Sequence, residues 1–227
     1  RLFINEEKLM HSNLLSSEGI LFIISSPSGA GKSSISKRIL KNDPKVTFSI
    51  SVTTRTPRDS EKDGREYFFK STNEFEKMVR DGEMLEHAEV FGNKYGTPKE
   101  PVENALDKGL DVLFDVDWQG GIKIRNSHLR KFVVSIFILP PSINELESRL
   151  LARGQDSDDT VKSRMIKSRE EISHWSEYDY ILINDDLQLV HDDIRSIIRS
   201  ERLKRLNRQD LVEFVSSLNR EFDGRYE

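Results

Sequence analysis

Short apolar runs alternate with amphipathic segments along most of the chain. Runs of four to eight apolar residues predict buried strands, whereas apolar residues three or four positions apart predict helices. The predicted strands lie at 20–24, 46–50, 67–69, 83–91, 110–117, 132–139 and 180–183, and the predicted helices lie at 33–41, 73–80, 98–109, 118–126, 143–151, 161–175, 187–206 and 209–223.

The order of these elements indicates an α/β fold. Strands that alternate with helices from residue 20 to residue 206 predict a parallel β-sheet core flanked by helices on both faces. Residues 51–97 interrupt that alternation with loop and strands, so we interpret them as an inserted subdomain. The chain is then divided into an N-terminal extension at 1–18, one domain at 19–206 and a C-terminal helical extension at 207–227.

Two local predictions concern the inserted segment. Residues 92–97 contain two glycines and an asparagine, which is typical of a turn. Thr72 or Asn73 is the predicted N-terminal cap of the helix at 73–80, because both side chains can accept a hydrogen bond from a free backbone N–H group.

The composition narrows the class of protein. The 227 residues carry a formal net charge of −4 without a long block of like charge, which argues against general binding to nucleic acid or to a membrane surface. There is no Cys, so disulfides and thiolate metal sites are excluded. The apolar runs are too short to span a bilayer, and residues 1–18 lack the apolar core of a signal peptide, so we expect a cytoplasmic protein.

Residues 25–33 carry the first candidate site, a phosphate-binding loop between a strand and a helix. Such a loop needs small residues so that backbone N–H groups can face an anion, a Lys for the outer phosphates and a hydroxyl for Mg²⁺. Two glycines, Lys32 and Ser33 meet these needs, although Ser26 replaces the first glycine of the usual pattern. A Gly/Ser turn with an incidental Lys is the alternative.

A second candidate anion site lies at residues 51–67. Arg55 and Arg58 flank a Thr-Pro turn, with hydroxyl side chains before them and Tyr67 after them. Because arginine presents a planar fork to phosphate oxygens, this arrangement suits a second phosphate group. A solvated basic turn is the alternative.

The strand at 110–117 ends in two carboxylates, Asp115 and Asp117. In folds of this kind ligands bind at the carboxyl ends of the parallel strands, so these side chains are candidates for a site. An Asp that caps a helix or shapes a turn is the alternative.

Arginines lie on both sides of a polar loop at 154–159. Arg149 and Arg153 are one turn apart on the helix before the loop, and Arg164 lies on the helix after it. A helix, a loop that begins with glycine and a second helix are typical of a lid that closes over a substrate. Two surface helices with solvated charges would give the same pattern.

Taken together, these motifs resemble the guanylate kinase family, enzymes that transfer a phosphoryl group from ATP to GMP. The resemblance implies a P-loop kinase with a core that holds the loop at 25–33, an inserted GMP-binding subdomain at about 51–97 and a helical lid at about 149–164. The matching stretches occur in family order over residues 19–206: Ser-Pro-Ser-Gly-Ala-Gly-Lys-Ser, Ser-Val-Thr-Thr-Arg-Thr-Pro-Arg, Gly-Arg-Glu-Tyr-Phe-Phe, Phe-Gly-Asn-Lys-Tyr-Gly-Thr, Asp-Val-Asp-Trp-Gln-Gly and Ile-Asn-Asp-Asp.

The resemblance also implies roles for individual residues. Those for ATP are Ser26, Pro27, Ser28, Gly29, Ala30, Gly31, Lys32, Ser33 and Ser34, with Ser33 near Mg²⁺ and with Asn184 and Asp185 on the adenine side. Those for the GMP phosphate are Arg55, Arg58, Tyr67 and Tyr95, and those for guanine are Ser51, Glu86, Thr97 and Asp117, while Asp115 lies near Mg²⁺ or GMP. The groups implied in catalysis are Lys32, Arg58 and the lid arginines Arg153 and Arg164.

The chemistry of the substrates agrees with these residues. Guanine offers N1–H and N2–H₂ donors to a carboxylate such as Glu86, whereas adenine would leave that carboxylate unpaired, a mismatch that discriminates by about 10⁴-fold. The nucleophile is a phosphate oxygen that is already ionised at neutral pH, so the reaction needs no catalytic base. Lys32, the arginines and Mg²⁺ would neutralise the charges of two approaching nucleotides.

Two other functions stay open at this level. Scaffold proteins with a guanylate-kinase-like domain bind peptides without catalysis, and other nucleoside monophosphate kinases use a different acceptor. The intact phosphate loop with both Arg55 and Arg58 favours catalysis, and Glu86 with Ser51 favours GMP and dGMP as acceptors. The five histidines and two tryptophans are dispersed, so we expect them to be structural or surface residues.

Overall fold

The computed structural model describes residues 19–58, 61–90, 92–152, 158–208 and 210–226. Within these ranges the chain forms two sheets and the helices that pack on them. The strands are β1 (Leu21–Ser25), β2 (Val46–Phe48), β3 (Val52–Thr53), β4 (Phe68–Phe69), β5 (Met84–Val90), β6 (Asn93–Pro98), β7 (Asp111–Asp115), β8 (Val133–Leu139) and β9 (Tyr180–Ile183). The α-helices are α1 (Lys32–Asn42), α2 (Thr72–Arg80), α3 (Lys99–Asp107), α4 (Trp118–Arg125), α5 (Ile143–Ala152), α6 (Asp158–Ser173), α7 (Leu187–Leu203) and α8 (Asp210–Tyr226).

The main sheet is parallel throughout and has the strand order β2-β7-β1-β8-β9. β1 is its central strand, with Ile24 in register with Asp115 of β7 and with Ile136 of β8. Because all five strands run the same way, their carboxyl ends form one edge. The loop after β1, the acidic end of β7 and the turn after β9 therefore meet there, as the predicted parallel sheet requires.

Helices cover both faces of this sheet because side chains alternate along β1. Phe22 and Ile24 are buried in a core with residues of α1 and α7, whereas Leu21 and Ile23 are buried in a second core with residues of α3 and α4. Each such side chain contributes roughly 1.5–3 kcal/mol by leaving water. The two cores make the carboxyl edge a rigid platform, and the prediction of helices on both faces is confirmed.

The second sheet lies within the segment that we interpreted as an insertion. Its strand order is β4-β3-β6-β5, with β5 and β3 both antiparallel to β6 and with β3 parallel to β4. Val52, Phe75 and Met84 form a small core that joins this sheet to α2. The second sheet therefore has a small core of its own beside the main sheet.

Two predictions in this segment are wrong. The predicted turn at 92–97 is β6, which pairs with β3 and β5; the turn glycine is Gly92, with φ +74°. Pairing on both sides outweighs the weak strand propensity of glycine and asparagine. The cap of α2 is Ser71 rather than Thr72 or Asn73, because Ser71 and Glu74 form a reciprocal capping box.

The C-terminal region contains two helices, as predicted, but the first is shorter than predicted. The helix predicted to reach residue 206 ends at Leu203, and a 3₁₀ turn at Arg205–Asn207 leads towards α8. α8 confirms the helix predicted at 209–223 and extends it to Tyr226. The predicted N-terminal extension at 1–18 lies outside the described residues. Among the helices of the described ranges, none combines the length and the apolar character needed to cross a membrane.

Candidate active site

The loop at 25–33 lies at the carboxyl edge of the main sheet, between β1 and α1. Gly29 has φ +99° and Gly31 has φ +101°, left-handed conformations that other residues rarely adopt. Space also requires glycine at Gly31, because a Cβ atom there would lie 2.4 Å from Asn184 Nδ2. A loop of this shape can present successive backbone N–H groups to an anion.

Ser26 and Pro27 begin this loop. The Ser26 hydroxyl donates a hydrogen bond of 3.0 Å to the Pro27 carbonyl, and the Ala30 N–H group donates to the same carbonyl at 3.1 Å. Ser26 is buried. Because two donors fix this carbonyl, a serine at the position of the usual first glycine is compatible with the closed loop.

Lys32 begins α1, and the end of β7 holds its ammonium group. Lys32 Nζ lies 2.5 Å from Asp115 Oδ1 and donates to the Val116 carbonyl at 3.2 Å. The Ser25 hydroxyl donates to that same carbonyl at 3.0 Å. These contacts fix the charge of Lys32 beside the loop. The cavity around it has a volume of about 220 Å³ and is lined by Ser26, Pro27, Ser28, Gly29, Gly31, Lys32, Ser33, Asp115, Asp117 and Glu171.

The two carboxylates after β7 have structural partners as well as a place in the cavity. Asp115 forms the ion pair with Lys32, and Asp117 caps α4 by accepting a 3.0 Å hydrogen bond from the Gly120 N–H group. The helix-cap alternative is therefore correct for Asp117. Both carboxylates also line the cavity, so a structural role and a position at the site coincide.

Glu86 and Thr97 form a buried pair across β5 and β6. The Thr97 hydroxyl donates a hydrogen bond of 2.8 Å to Glu86 Oε1. Thr97 is 0% exposed and Glu86 is 8% exposed. A Cβ atom at Gly120 would lie 3.5 Å from Glu86 Oε2 and 3.6 Å from Asp117 Oδ1, so these carboxylates approach Gly120 together. Burial raises the pKa of Glu86, and the negative charge of Asp117 raises it further.

Arg55 lies in an aromatic and acidic setting. Its Nη2 atom donates to both Glu61 oxygens at 2.9 Å, and its guanidinium carbon lies 5.5 Å from the centre of the Tyr67 ring. Burial would lower the pKa of Arg55, but hydrogen bonds and charge from Glu61 and Tyr95 raise it overall. The Tyr67 and Tyr95 rings meet edge to face with centroids 6.0 Å apart. Three residues predicted for one phosphate are thus in contact with each other.

Arg58 and Ser51 flank that cluster. The Arg58 side chain is exposed, and its backbone N–H group donates to Glu61 Oε2 at 2.9 Å. Ser51 is half-buried, and its carbonyl accepts a hydrogen bond from the Phe68 N–H group at 2.9 Å, which joins β4 to the start of β3. These hydrogen bonds of Arg58 and Ser51 are made by backbone atoms, so they do not occupy the two side chains.

The turn after β9 is tied to the phosphate loop. Asn184 is buried, and its Nδ2 atom donates to the Ala30 carbonyl at 2.6 Å. Its own carbonyl accepts from Arg149 Nη2 at 3.1 Å. Asp185 is exposed and accepts from the Asp186 N–H group. Asn184 is therefore a support of the loop in this structure, whichever part of a nucleotide it also contacts.

The arginines predicted to lie in a lid divide between described and undescribed residues. Arg153 lies outside the described residues, and Arg164 is half-buried on α6. Of the predicted helix-loop-helix arrangement, the structure describes the two helices, α5 and α6. Sequence reasoning missed Glu171, which lies on α6 seven positions after Arg164 and accepts a hydrogen bond from the Ser28 N–H group of the loop. That spacing puts both residues on one helix face and was the available signal.

These features define a nucleotide kinase of the P-loop class. They are a parallel sheet flanked by helices, a glycine-rich phosphate loop after its central strand, and a second sheet that carries arginines and a buried carboxylate. In the described ranges there is no cluster of three or more His, Asp and Glu side chains that could hold a metal ion. His174 stacks on Trp118 with ring centroids 3.7 Å apart.

Comparison with known proteins gives the family. The guanylate kinase family model matches residues 19–201. The chain is 58% identical over 207 residues to the guanylate kinase of Cereibacter sphaeroides, covering 91% of this chain and 98% of the relative, and 55% identical over 205 residues to that of Ruegeria pomeroyi, covering 90% and 96%. A crystal structure of guanylate kinase from Anaplasma phagocytophilum has a TM-score of 0.74 at 38% identity, covering 90% of this chain and 97% of that one.

The chain belongs to the guanylate kinase family, and its reaction is the transfer of a phosphoryl group from ATP to GMP. The resemblance drawn from its motifs is confirmed, and so is the prediction of an enzyme rather than a scaffold domain.

Proposed function

We propose that the reaction is divided between the two sheets, with ATP held at the carboxyl edge of the main sheet and GMP held by the second sheet. The observation that carries this proposal is the position of Asp117. It lines the phosphate cavity beside Lys32, and it approaches Glu86 of the second sheet across Gly120. The two substrate sites therefore share one wall, which supports a direct transfer between their phosphates.

In this proposal the loop at 25–33 binds the ATP phosphates. Backbone N–H groups of the loop and Lys32 Nζ contact phosphate oxygens, and Asn184 and Asp185 lie on the adenine side. The close contact between Asn184 and the Ala30 carbonyl supports this arrangement, because it joins the adenine-side turn to the loop. Displacing Asp115 from Lys32 is the local rearrangement that ATP requires.

Residues of the second sheet and Asp117 would bind the guanine base of GMP. The Glu86 carboxylate accepts hydrogen bonds from guanine N1–H and N2–H₂, with Ser51, Thr97 and Asp117 around the base. The buried pair of Glu86 and Thr97 supports this role, since the Thr97 hydroxyl holds one carboxylate oxygen and leaves the other for the base. Adenine has no N1 proton to donate, so we expect GMP and dGMP to be accepted and AMP to be rejected.

The GMP phosphate would lie against Arg55, Arg58, Tyr67 and Tyr95. Arg55 Nη2 donates to both Glu61 oxygens, and a phosphate carries more charge than a carboxylate and offers acceptor oxygens of the same kind. An oxygen of this phosphate attacks the γ-phosphorus of ATP, and the bond to the β,γ-bridging oxygen breaks to release ADP. Lys32, Arg58 and the lid residues Arg153 and Arg164 would neutralise the charge that builds up.

Mg²⁺ fits the donor set at the loop. Ser33 lines the cavity and supplies a hydroxyl oxygen, and Asp115 supplies a carboxylate nearby. Mg²⁺ prefers oxygen ligands and keeps several of its waters, so one or two protein oxygens with the ATP phosphates suffice. Bound to ATP, it would neutralise charge on the β- and γ-phosphates.

The parts of the chain follow from these roles. We assign a GMP-binding subdomain to about 51–97 and a lid to about 149–164, within a kinase domain at 19–206 and with terminal extensions at 1–18 and 207–227. ATP and GMP are metabolites of the cytoplasm, which supports a cytoplasmic location. A surface without a concentrated basic field supports small-molecule substrates rather than nucleic acid.

Steady-state kinetics with two sets of variants tests the division. Variants at Lys32 or Ser33 should reduce kcat or raise KM for ATP, whereas variants at Glu86 or Ser51 should raise KM for GMP and leave KM for ATP unchanged. Acceptor tests with GMP, dGMP, AMP and UMP, each with and without Mg²⁺, complete the experiment. A Glu86 variant with normal KM for GMP, or equal rates with AMP, would contradict the proposal.

A further inference from the structure

Glu171 is a buried carboxylate of the lid helix that contacts the phosphate loop. It lies near the end of α6, is 8% exposed and accepts a hydrogen bond of 3.2 Å from the Ser28 N–H group through Oε2. It also lines the cavity that contains Lys32. The roles proposed above for ATP and GMP do not use this residue.

The contact puts an anion on a donor of an anion-binding loop. Backbone N–H groups of such loops bind phosphate oxygens, and a carboxylate oxygen has similar hydrogen-bonding chemistry. Lys32 at the end of the loop is also engaged by a carboxylate, since Asp115 Oδ1 lies 2.5 Å from its Nζ atom. In this structure two protein carboxylates therefore occupy partners that phosphate oxygens need.

The charges that line the cavity strengthen the competition between these carboxylates and phosphate oxygens. Its lining contains one cation, Lys32, and three carboxylates, Asp115, Asp117 and Glu171. The pKa of Glu171 is raised overall: burial raises it most, and the hydrogen bond from Ser28 and the charges of Lys167 and Lys32 offset this only in part. An ionised carboxylate repels an incoming polyphosphate strongly at close range in a medium of low polarity.

Glu171 is also mechanically linked to a lid arginine. Arg164 precedes it by seven positions on α6, which puts the two side chains on the same face of the helix. While Glu171 contacts the loop, α6 is held to the loop by an acidic side chain. If that contact breaks, the same helix face can present Arg164 to the phosphates.

We propose that Glu171 is a further residue of the ATP site, an internal anion that occupies the loop and competes with the phosphates of ATP. It holds α6 on the loop until ATP displaces it. This inference rests on the proposed assignment of residues 25–33 to ATP. Glu171 thereby lowers the affinity for ATP and couples ATP binding to release of the lid helix.

Equilibrium binding measures this competition directly. Calorimetric titrations with a non-hydrolysable ATP analogue, and separately with tripolyphosphate, compare the wild type with Glu171→Gln. We expect Kd to fall by about tenfold for both probes, because the variant removes the charge and weakens the contact with Ser28. Glu170→Gln, an exposed carboxylate on the same helix, is the matched control and should change Kd by less than about twofold.

A tighter Kd is a result that a merely structural role for Glu171 would not give. Unchanged or weaker binding in a folded Glu171→Gln protein would overturn the proposal. The outcome is separable from the loop assignment: if Lys32→Ala keeps full turnover, the loop assignment fails, whereas normal Kd in Glu171→Gln with an inactive Lys32→Ala refutes only the competition.

A second measurement uses the wild-type protein and does not depend on the folding of a variant. The side-chain carboxyl ¹³C resonance of Glu171, assigned by triple-resonance NMR, is followed during titration with tripolyphosphate. We expect it to shift as the carboxylate loses the Ser28 N–H group. A resonance that does not move at saturation would show that the phosphates leave the contact intact, and the proposal would be wrong.

Discussion

The Thr97 hydroxyl donates a 2.8 Å hydrogen bond to Glu86 Oε1, and both residues are almost wholly buried. This relationship joins β5 to β6 through their side chains and fixes the orientation of the carboxylate, on which the positive charge of Lys123 also acts. Burial of a carboxylate is costly, and a ligand with N–H donors would offset part of that cost.

Replacing Glu86 by glutamine should damage the use of GMP selectively. The variant keeps its size and can still accept from Thr97, but it loses the charge that favours the guanine donors. We expect KM for GMP to rise by about 10²-fold, in the range of a lost charge-assisted hydrogen bond pair, with KM for ATP unchanged. Glu89→Gln, an exposed residue of the same strand, should keep normal kinetics, and equal effects in the two variants would argue against the guanine site.

The affinity for GMP should increase with pH. Burial raises the pKa of Glu86 above the ordinary value, and only the ionised form can accept from both guanine donors. KM for GMP should therefore fall as pH rises from the ordinary glutamic acid pKa through the raised one. The GMP phosphate titrates near pH ~6 as well, so the same profile measured with Glu86→Gln separates the two groups. Identical profiles for the two proteins would contradict the prediction.

The raised pKa of Glu86 also makes the free energy of unfolding depend on pH. In the pH window between the ordinary and the raised pKa, the folded protein binds a proton at Glu86 that the unfolded chain has lost, so the free energy of unfolding falls as pH rises. We expect Glu86→Gln to show a smaller fall than the wild type. Urea denaturation at several pH values measures the difference, and parallel curves would remove Glu86 as the cause.

Replacing Lys32 by alanine should abolish most turnover without unfolding the protein. The ammonium group of Lys32 lies in the cavity of the phosphate loop, and loss of one preorganised charge lowers kcat by about 10²–10³-fold. Its partner Asp115 stays 18% exposed and can be hydrated, so the thermal midpoint should change little. Lys37→Ala, exposed on the same helix, is the control. Normal kcat in Lys32→Ala would refute the loop assignment.

An ion-pair network far from the loop should decide stability rather than activity. Arg202 Nε lies 2.7 Å from Asp111 Oδ2, and Arg202 Nη1 lies 2.8 Å from Asp43 Oδ2. Asp111 is buried and also accepts from the Ile20 N–H group, which fixes the start of β7 beside β1. Arg202→Met should lower the free energy of unfolding by about 3 kcal/mol, because it leaves Asp111 uncompensated.

Chemical denaturation measures the effect of Arg202→Met. The exposed Arg199→Met is its control. Adding Asp111→Asn to Arg202→Met should recover part of the loss, since the buried charge is then gone. Full stability of Arg202→Met would show that water replaces the arginine.

Local patterns were sufficient for the main sheet and the loop. The apolar run of β1 predicts a central strand that is buried on both faces, and alternating β1 residues do enter the two cores. The glycines of the loop are required by left-handed backbone and close approach, which are local facts. These features follow from the sequence because each depends on residues that are neighbours along the chain.

Other features depended on partners distant in sequence. β6 is a strand because β3 and β5 supply its hydrogen bonds, although its own residues favour a turn. Asp117 both caps α4 and approaches Glu86, and Glu171 meets Ser28 across 143 positions of chain. The sequence by itself determined the family, the parallel sheet and the phosphate loop, since periodicity and backbone requirements act over a few residues. Only the tertiary structure decided which carboxylates are buried, paired or opposed, because burial and Coulomb energy depend on distances in space.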